Sequence, residues 1–174
     1  MNTDHPTDFP PRIITTGGTF DKVYDPLTGA LVFDHTQVPQ LLMRADIVYP
    51  ITELMLIDSL HMTDTHRAQI SMACRECDES RIVIVHGTDT MNLTAQALAA
   101  LALPKTIVIT GAMIPARVDG SDALFNLGYA IAAAQHAQPG VWIAMNGQTF
   151  AWNDVHKNRE AGRFEKGASP TRGA

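Results

Sequence analysis

Val83-Ile84-Val85-His86-Gly87-Thr88-Asp89-Thr90-Met91 decides the fold. An apolar, β-branched run enters a turn carrying two hydroxyls and a carboxylate, and an Ala- and Leu-rich segment follows over 91–103. A short apolar run bounded by turn residues reads as a buried strand, and the longer segment after it as a helix. Near the N-terminus, Ile13-Ile14-Thr15-Thr16-Gly17-Gly18-Thr19 has the same construction, a strand over 12–16 running into a Gly-Gly turn. Two such junctions on one sheet can set Thr19 and Thr88 across a cleft from each other.

Working outward, Asp25-Pro26-Leu27-Thr28-Gly29 is turn chemistry with loose apolar alternation on both sides. It predicts a β-hairpin or flap projecting from the end of the first strand. Asp34 is positioned to cap a short helix through Met43, with Val38, Leu41 and Leu42 on one face. Short strands are expected at 47–49 and 54–57, and a helix over 64–77 capped by Thr63. Strands at 81–85, 105–110 and 141–145 alternate with helices starting near Met91 and near Ser121 or Asp122. The repeated rhythm of strand, small-residue turn and helix predicts a doubly wound α/β domain. Its sheet is mostly parallel, with helices on both faces, in the Rossmann or flavodoxin-like manner. Ligands of such sheets bind beyond the C-terminal ends of the strands, the edge to which Thr19, Thr88 and Gly111 are assigned. Residues 1–10 and 161–174 are expected to be flexible tails, leaving 11–160 as the domain.

The chain has 174 residues, of which 45% are hydrophobic, sufficient for one well-buried domain. Its formal charge of −5 gives no reason to expect nucleic acid or an anionic membrane as partner. No apolar run approaches the ~20 residues of a membrane span, and the N-terminus lacks a signal pattern, so the expected location is cytoplasmic. Cys74 and Cys77 form a C-x-x-C pair at the C-terminal end of the 64–77 helix, where the dipole does not favour a thiolate. With no further cysteine the pair reads as structural, although His66 offers one additional metal ligand.

Thr-Gly-Gly-Thr has neither the G-x-G-x-x-G spacing of a dinucleotide site nor the Lys of a phosphate-binding loop. Its glycines let the backbone approach a ligand closely while Thr19 presents a hydroxyl at the sheet edge. A threonine hydroxyl becomes a nucleophile only when a base takes its proton. Tyr24 in the flap and Lys157 far along the chain are the available partners, the latter a base when desolvated and neutral. Asp89 is placed to bind a substrate ammonium. Thr88-Asp89 also reads simply as a helix N-cap, and spacing alone leaves both readings open. His86, at the end of a buried strand, reads as a hydrogen-bonded structural histidine.

Thr15-Thr16-Gly17-Gly18-Thr19 and His86-Gly87-Thr88-Asp89-Thr90-Met91 together resemble the two signature blocks of the bacterial-type L-asparaginases. Thr110-Gly111-Ala112-Met113, Phe125-Asn126-Leu127, Met145-Asn146 and Asp154-Val155-His156-Lys157 resemble the blocks that follow them, in family order over residues 11–160. The resemblance implies an N-terminal asparaginase-like domain in which Thr19 is the primary nucleophile and Tyr24 assists proton transfer from the flap. It implies that Thr88, Asp89 and Lys157 form a second catalytic triad, and that Ser59 binds substrate. Gly18, with the Thr88–Asp89 turn, would offer backbone N–H groups to the substrate oxyanion. Leu60 and Ile114 stand where the family commonly has a polar residue and an arginine.

The implied reaction is hydrolysis of the side-chain amide of asparagine or a related small amide through an acyl-enzyme, releasing ammonia, with no metal or organic cofactor. A homo-oligomer, in the first instance a dimer, is implied because family sites lie at subunit interfaces. The alternative is a non-catalytic amino-acid or small-carboxylate binding module that keeps the asparaginase cleft without the C-terminal domain.

Overall fold

The computed structural model describes residues 10–167. The tail expected at 1–10, apart from the exposed Pro10, and the tail from residue 168 onward lie outside the described residues. In chain order the elements are β1 (Arg12–Gly17), β2 (Lys22–Asp25), β3 (Ala30–Phe33), α1 (Val38–Met43), β4 (Ile51–Ile57) and α2 (Asp64–Glu76). There follow β5 (Arg81–Val85), α3 (Met91–Ala99), β6 (Thr106–Thr110), α4 (Ala123–His136), β7 (Gly140–Met145), β8 (Gln148–Ala151), β9 (His156–Asn158) and β10 (Arg163–Glu165).

Six strands form the main sheet in the order β4-β1-β5-β6-β7-β8, parallel except for the last. Alternation along β5 explains why helices cover both faces. Ile82 and Ile84 pack with Ile70 and Cys74 of α2 and with Met91, Ala95 and Leu98 of α3. Val83 and Val85 pack with Leu41 and Leu42 of α1 and with Leu127, Ala130 and Ala134 of α4. A strand buried on both sides places apolar side chains on both faces, which is why β5 reads as an apolar run after Arg81. Chain order reverses at β1, whose neighbours are β4 on one side and β5 on the other. The crevice at such a reversal, beyond the strand C-termini, is the ligand position of doubly wound sheets.

The expected flap is the antiparallel hairpin β2–β3, with Tyr24 opposite Leu31. Thr63 caps α2 as expected, and His66 Nδ1 accepts a hydrogen bond from the Thr63 N–H at 3.0 Å. That ring nitrogen is therefore engaged at the opposite end of α2 from Cys74 and Cys77. Both cysteines are free, and burial pushes the Cys74 thiol up to about 12. Among the described residues no cluster of three or more His, Cys, Asp or Glu is placed to hold a metal ion, and no helix is long and apolar enough to cross a membrane.

Three expectations are corrected. Residues 47–49 form no strand; Pro50, which has no N–H to give a ladder, precedes a single strand beginning at Ile51. Asp34 does not cap α1, which starts at Val38. The Gln37 N–H instead donates to Asp21 Oδ1 at 2.8 Å, so the turn after β1 supplies the acceptor. Residues 161–167 are not tail. β10 pairs antiparallel with β9, and Phe164, 2% exposed, joins the core directly opposite Lys157 in the register.

Candidate active site

Glycine backbones bring the loops after β1, β4 and β5 together. A Cβ on Gly18 would lie 2.4 Å from the Gly87 Cα, and one on Gly87 would lie 2.5 Å from Ser59 Oγ. Neither turn has room for a side chain, so backbone meets backbone. Thr19 and Thr88 each follow one of these glycines in the chain. Thr16 Oγ1 donates to the Val85 carbonyl at 2.9 Å and ties the two strand ends below it.

Thr88 is 5% exposed, and its hydroxyl oxygen lies 2.7 Å from Lys157 Nζ. The same ammonium donates to Asp89 Oδ1 at 3.0 Å. Thr88, Asp89 and Lys157 therefore meet, although 69 residues separate the lysine from Thr88. The N-cap reading of Thr88-Asp89 is overturned: α3 begins at Met91 with Thr90 as its cap residue, and the Thr90 hydroxyl donates to the Ser59 carbonyl at 2.8 Å. Side chains not needed to start the helix are left to face the cleft. Its lining adds Asn92, Arg159 and Phe164 to the three residues expected there. Arg159, in the turn just after β9, was not anticipated.

Lys157 is held by a relay of amides. Asn126 Nδ2 donates to the Gly111 carbonyl at 3.0 Å, and Asn126 Oδ1 accepts from the Asn146 N–H at 3.3 Å. Asn146 Oδ1 in turn accepts from the Phe164 N–H at 3.2 Å, opposite Lys157. These asparagines thus connect the loop after β6 to the hairpin carrying the lysine. His86 is fully buried beneath the site, donating through Nδ1 to the Gly87 carbonyl at 2.8 Å and accepting at Nε2 from Thr94 at 2.8 Å. Burial lowers its pKa to about 4, which keeps it neutral and structural, as expected.

The remaining site residues are less closely gathered. Gly18 and Ser59 lie against Gly87, with the Ser59 side chain packed over that glycine. Thr19 is half-buried at the start of the turn Thr19–Asp21. Tyr24 stands apart on the hairpin, 63% exposed. The hairpin base is tethered to the Ser59 turn by Lys22 Nζ and Asp58 Oδ2 at 2.6 Å, and the lysine holds the Asp58 carboxyl below its usual range.

Asp21, in the Thr19 turn, is fully buried. Its Oδ1 accepts from Gln37 N–H and the Thr36 hydroxyl, while Oδ2 has no partner among the described residues. Burial raises its carboxyl from 3.8 to about 6, with Glu53 adding to the rise and His35 opposing it. A raised acid pKa means that the fold holds the proton better than the unfolded chain does. Its stabilisation is complete below pH 3.8 and is lost as pH rises through about 6. The difference corresponds to about 3 kcal/mol. Asp21→Asn should therefore gain on the wild type by about 1–3 kcal/mol between pH 4 and pH 7 in urea unfolding. A pH-independent difference between the two proteins would sink this account.

Comparison with known proteins identifies the family of the fold. The family described as asparaginase, N-terminal, matches residues 12–171. A glutamyl-tRNA(Gln) amidotransferase chain from Methanobrevibacter smithii is 38% identical over 156 residues, covering 83% of this chain and 35% of that protein. A 60 kDa lysophospholipase from Mus musculus is 35% identical over 130 residues, covering 71% and 23%. Among solved structures, the thermostable L-asparaginase of Thermococcus kodakarensis superposes with a TM-score of 0.80 at 26% identity, covering 91% of this chain and 51% of that one. L-asparaginase I of Vibrio cholerae gives 0.77 at 25%, covering 93% and 52%. The chain thus spans about half of these asparaginases and a smaller share of the two relatives. The match runs from β1 past the hairpin that carries Lys157, so the chain belongs to the asparaginase family through that family's N-terminal domain.

Proposed function

We propose that this chain is an asparaginase-like amidohydrolase that releases ammonia from the side-chain amide of asparagine or a related small amide. The observation that carries the reading is the 2.7 Å approach of Lys157 Nζ to the buried Thr88 hydroxyl, with Asp89 at 3.0 Å from the same nitrogen. A binding site alone has no need of an amine on a threonine hydroxyl. In this reading Thr19 Oγ1 attacks the amide carbon. Backbone N–H groups at Gly18 and at the Thr88–Asp89 turn receive the oxyanion. The hydroxyl proton reaches the amide nitrogen as the carbon–nitrogen bond breaks and ammonia leaves, and water then hydrolyses the acyl-threonine to the carboxylate. The Thr88–Lys157 pair carries protons, and Tyr24 joins Thr19 when the hairpin folds onto the ligand. Ser59 and Asp89 hold the substrate. The proposal includes a cytoplasmic homo-oligomer, a dimer, as the working form, with no cofactor.

Thr19→Ala and Thr88→Ala are each expected to lower ammonia release by about a hundredfold or more with the fold intact by circular dichroism. Turnover unchanged in either variant would remove that residue from the mechanism. Tyr24, 63% exposed on the hairpin, favours a second reading, a non-catalytic module binding amino acids or small carboxylates. Thermal shifts with Asp, Asn and Gln beside an ammonia assay separate the two. Stabilisation without turnover selects the binding module.

A further inference from the structure

Asp89 is surrounded by more positive charge than one carboxylate balances. Its Oδ1 lies 3.0 Å from Lys157 Nζ and 3.4 Å from Arg159 Nη2. The lysine is 17% exposed and engaged with Thr88, whereas the arginine is 63% exposed and lines the mouth of the same cleft with Asn92 and Phe164. A guanidinium carries five N–H donors in a planar fork that matches a carboxylate. Approach to Asp89 through one nitrogen leaves donors on the others for a ligand.

We infer that Arg159 determines specificity, by supplying at Asp89 the positive charge that a substrate α-ammonium would bring and by offering its remaining donors to a substrate carboxylate. A ligand ammonium here would be the third cation around one carboxylate, and the charge on Lys157, 17% exposed, is the one that water screens least. A ligand that brings a carboxylate and no ammonium meets only attraction. The chemical class selected is a small dicarboxylic acid monoamide, with its diacid as product. Succinamate and succinate are the probes, each differing from L-asparagine and L-aspartate only by the α-ammonium. The inference rests on the proposed reading for the position of the ligand at Asp89, and not for hydrolysis.

Calorimetric titration of the full chain with succinate and with L-aspartate tests it. The wild type is expected to bind succinate about tenfold more tightly than L-aspartate. Arg159→Ala, at a largely exposed side chain, should abolish that ratio by weakening succinate and tightening L-aspartate, and Arg159→Lys, which keeps the charge without the fork, should fall between. A wild type that prefers L-aspartate, or a ratio unmoved by Arg159→Ala, overturns the inference. Ammonia release from succinamate and from L-asparagine on the same preparations keeps the two claims apart. Succinate preference with no ammonia from either amide supports the specificity role and removes hydrolysis. Ammonia from L-asparagine without succinate preference does the reverse, and binding of neither acid together with no ammonia from either amide overturns both.

Discussion

Lys157→Met should lower ammonia release by about 10²–10⁴-fold, the range for loss of a positioned proton-transfer group. Methionine keeps the apolar stem of the lysine beside Phe164 and removes only the nitrogen. That deletes the 2.7 Å contact to Thr88 and the 3.0 Å contact to Asp89 together. The stability cost is small by comparison. A partly exposed ion pair is worth about 1 kcal/mol or less. An unpaired Thr88 hydroxyl, 5% exposed, adds about 1–3 kcal/mol. The protein should therefore fold at 25 °C, and activity loss can be separated from unfolding. Thr88→Val, which keeps the volume of the side chain without its hydroxyl, should show a similar fall. The double variant should be no worse than either single one, because a proton relay broken once is broken. Ammonia release in Lys157→Met within about threefold of wild type would show that the amine only props up the turn. The binding-module reading would then be the stronger one.

The parts of this molecule that were legible in the sequence are those where local pattern and tertiary demand coincide. Val83–Val85 and Ile107–Ile109 are buried on both faces, and no polar position interrupts them. Their strand character, the parallel sheet and the helices on both faces followed. The Gly turns after β1 and β5 were legible as turns, but their meeting was not, since contact between Gly18 and Gly87 depends on β1 and β5 being neighbours. The sequence offers Lys157 as a base but not its meeting with Thr88, since 69 residues and three strands of the main sheet, β6, β7 and β8, lie between them in the chain. Misreadings arose where a distant group won over a near one. Asp34 is the local choice to cap α1, yet Asp21, 16 residues before Gln37, accepts its N–H because the Thr19 turn folds back over the helix start. Phe164 between Arg163 and Glu165 carried a two-residue alternation that could have revealed β10, but a three-residue strand is too short for pattern to outweigh its polar surroundings. Arg159 lies in the turn after β9, where no periodic pattern marks a residue as facing the cleft.

Gly18→Ala should be among the most damaging single-methyl changes in the described structure. At φ 73° and ψ −174° the residue lies in a region that essentially only glycine occupies, at a cost of about 1–3 kcal/mol for any other residue. The added Cβ would also sit 2.4 Å from the Gly87 Cα and 2.5 Å from its nitrogen. These are backbone atoms of a turn pinned between β5 and Ser59, so relief requires the two strand ends to separate, at about 1–3 kcal/mol more. The Gly18 N–H bonded to the Ile57 carbonyl at 2.9 Å fixes the other side of the turn against β4. A total of about 4 kcal/mol is a large part of the ~5–15 kcal/mol that holds an ordinary domain together. Gly29→Ala is the internal control. Its φ of +68° is also left-handed, but among the described residues nothing lies within 4 Å of the added methyl, so only conformational cost, about 1 kcal/mol, should register. Urea midpoints should therefore fall far more in Gly18→Ala than in Gly29→Ala. Equal shifts would mean that the two turns do not press on each other in solution. If Gly18→Ala does fold, the same separation moves Thr19 relative to Thr88, and ammonia release should fall even where the fold survives.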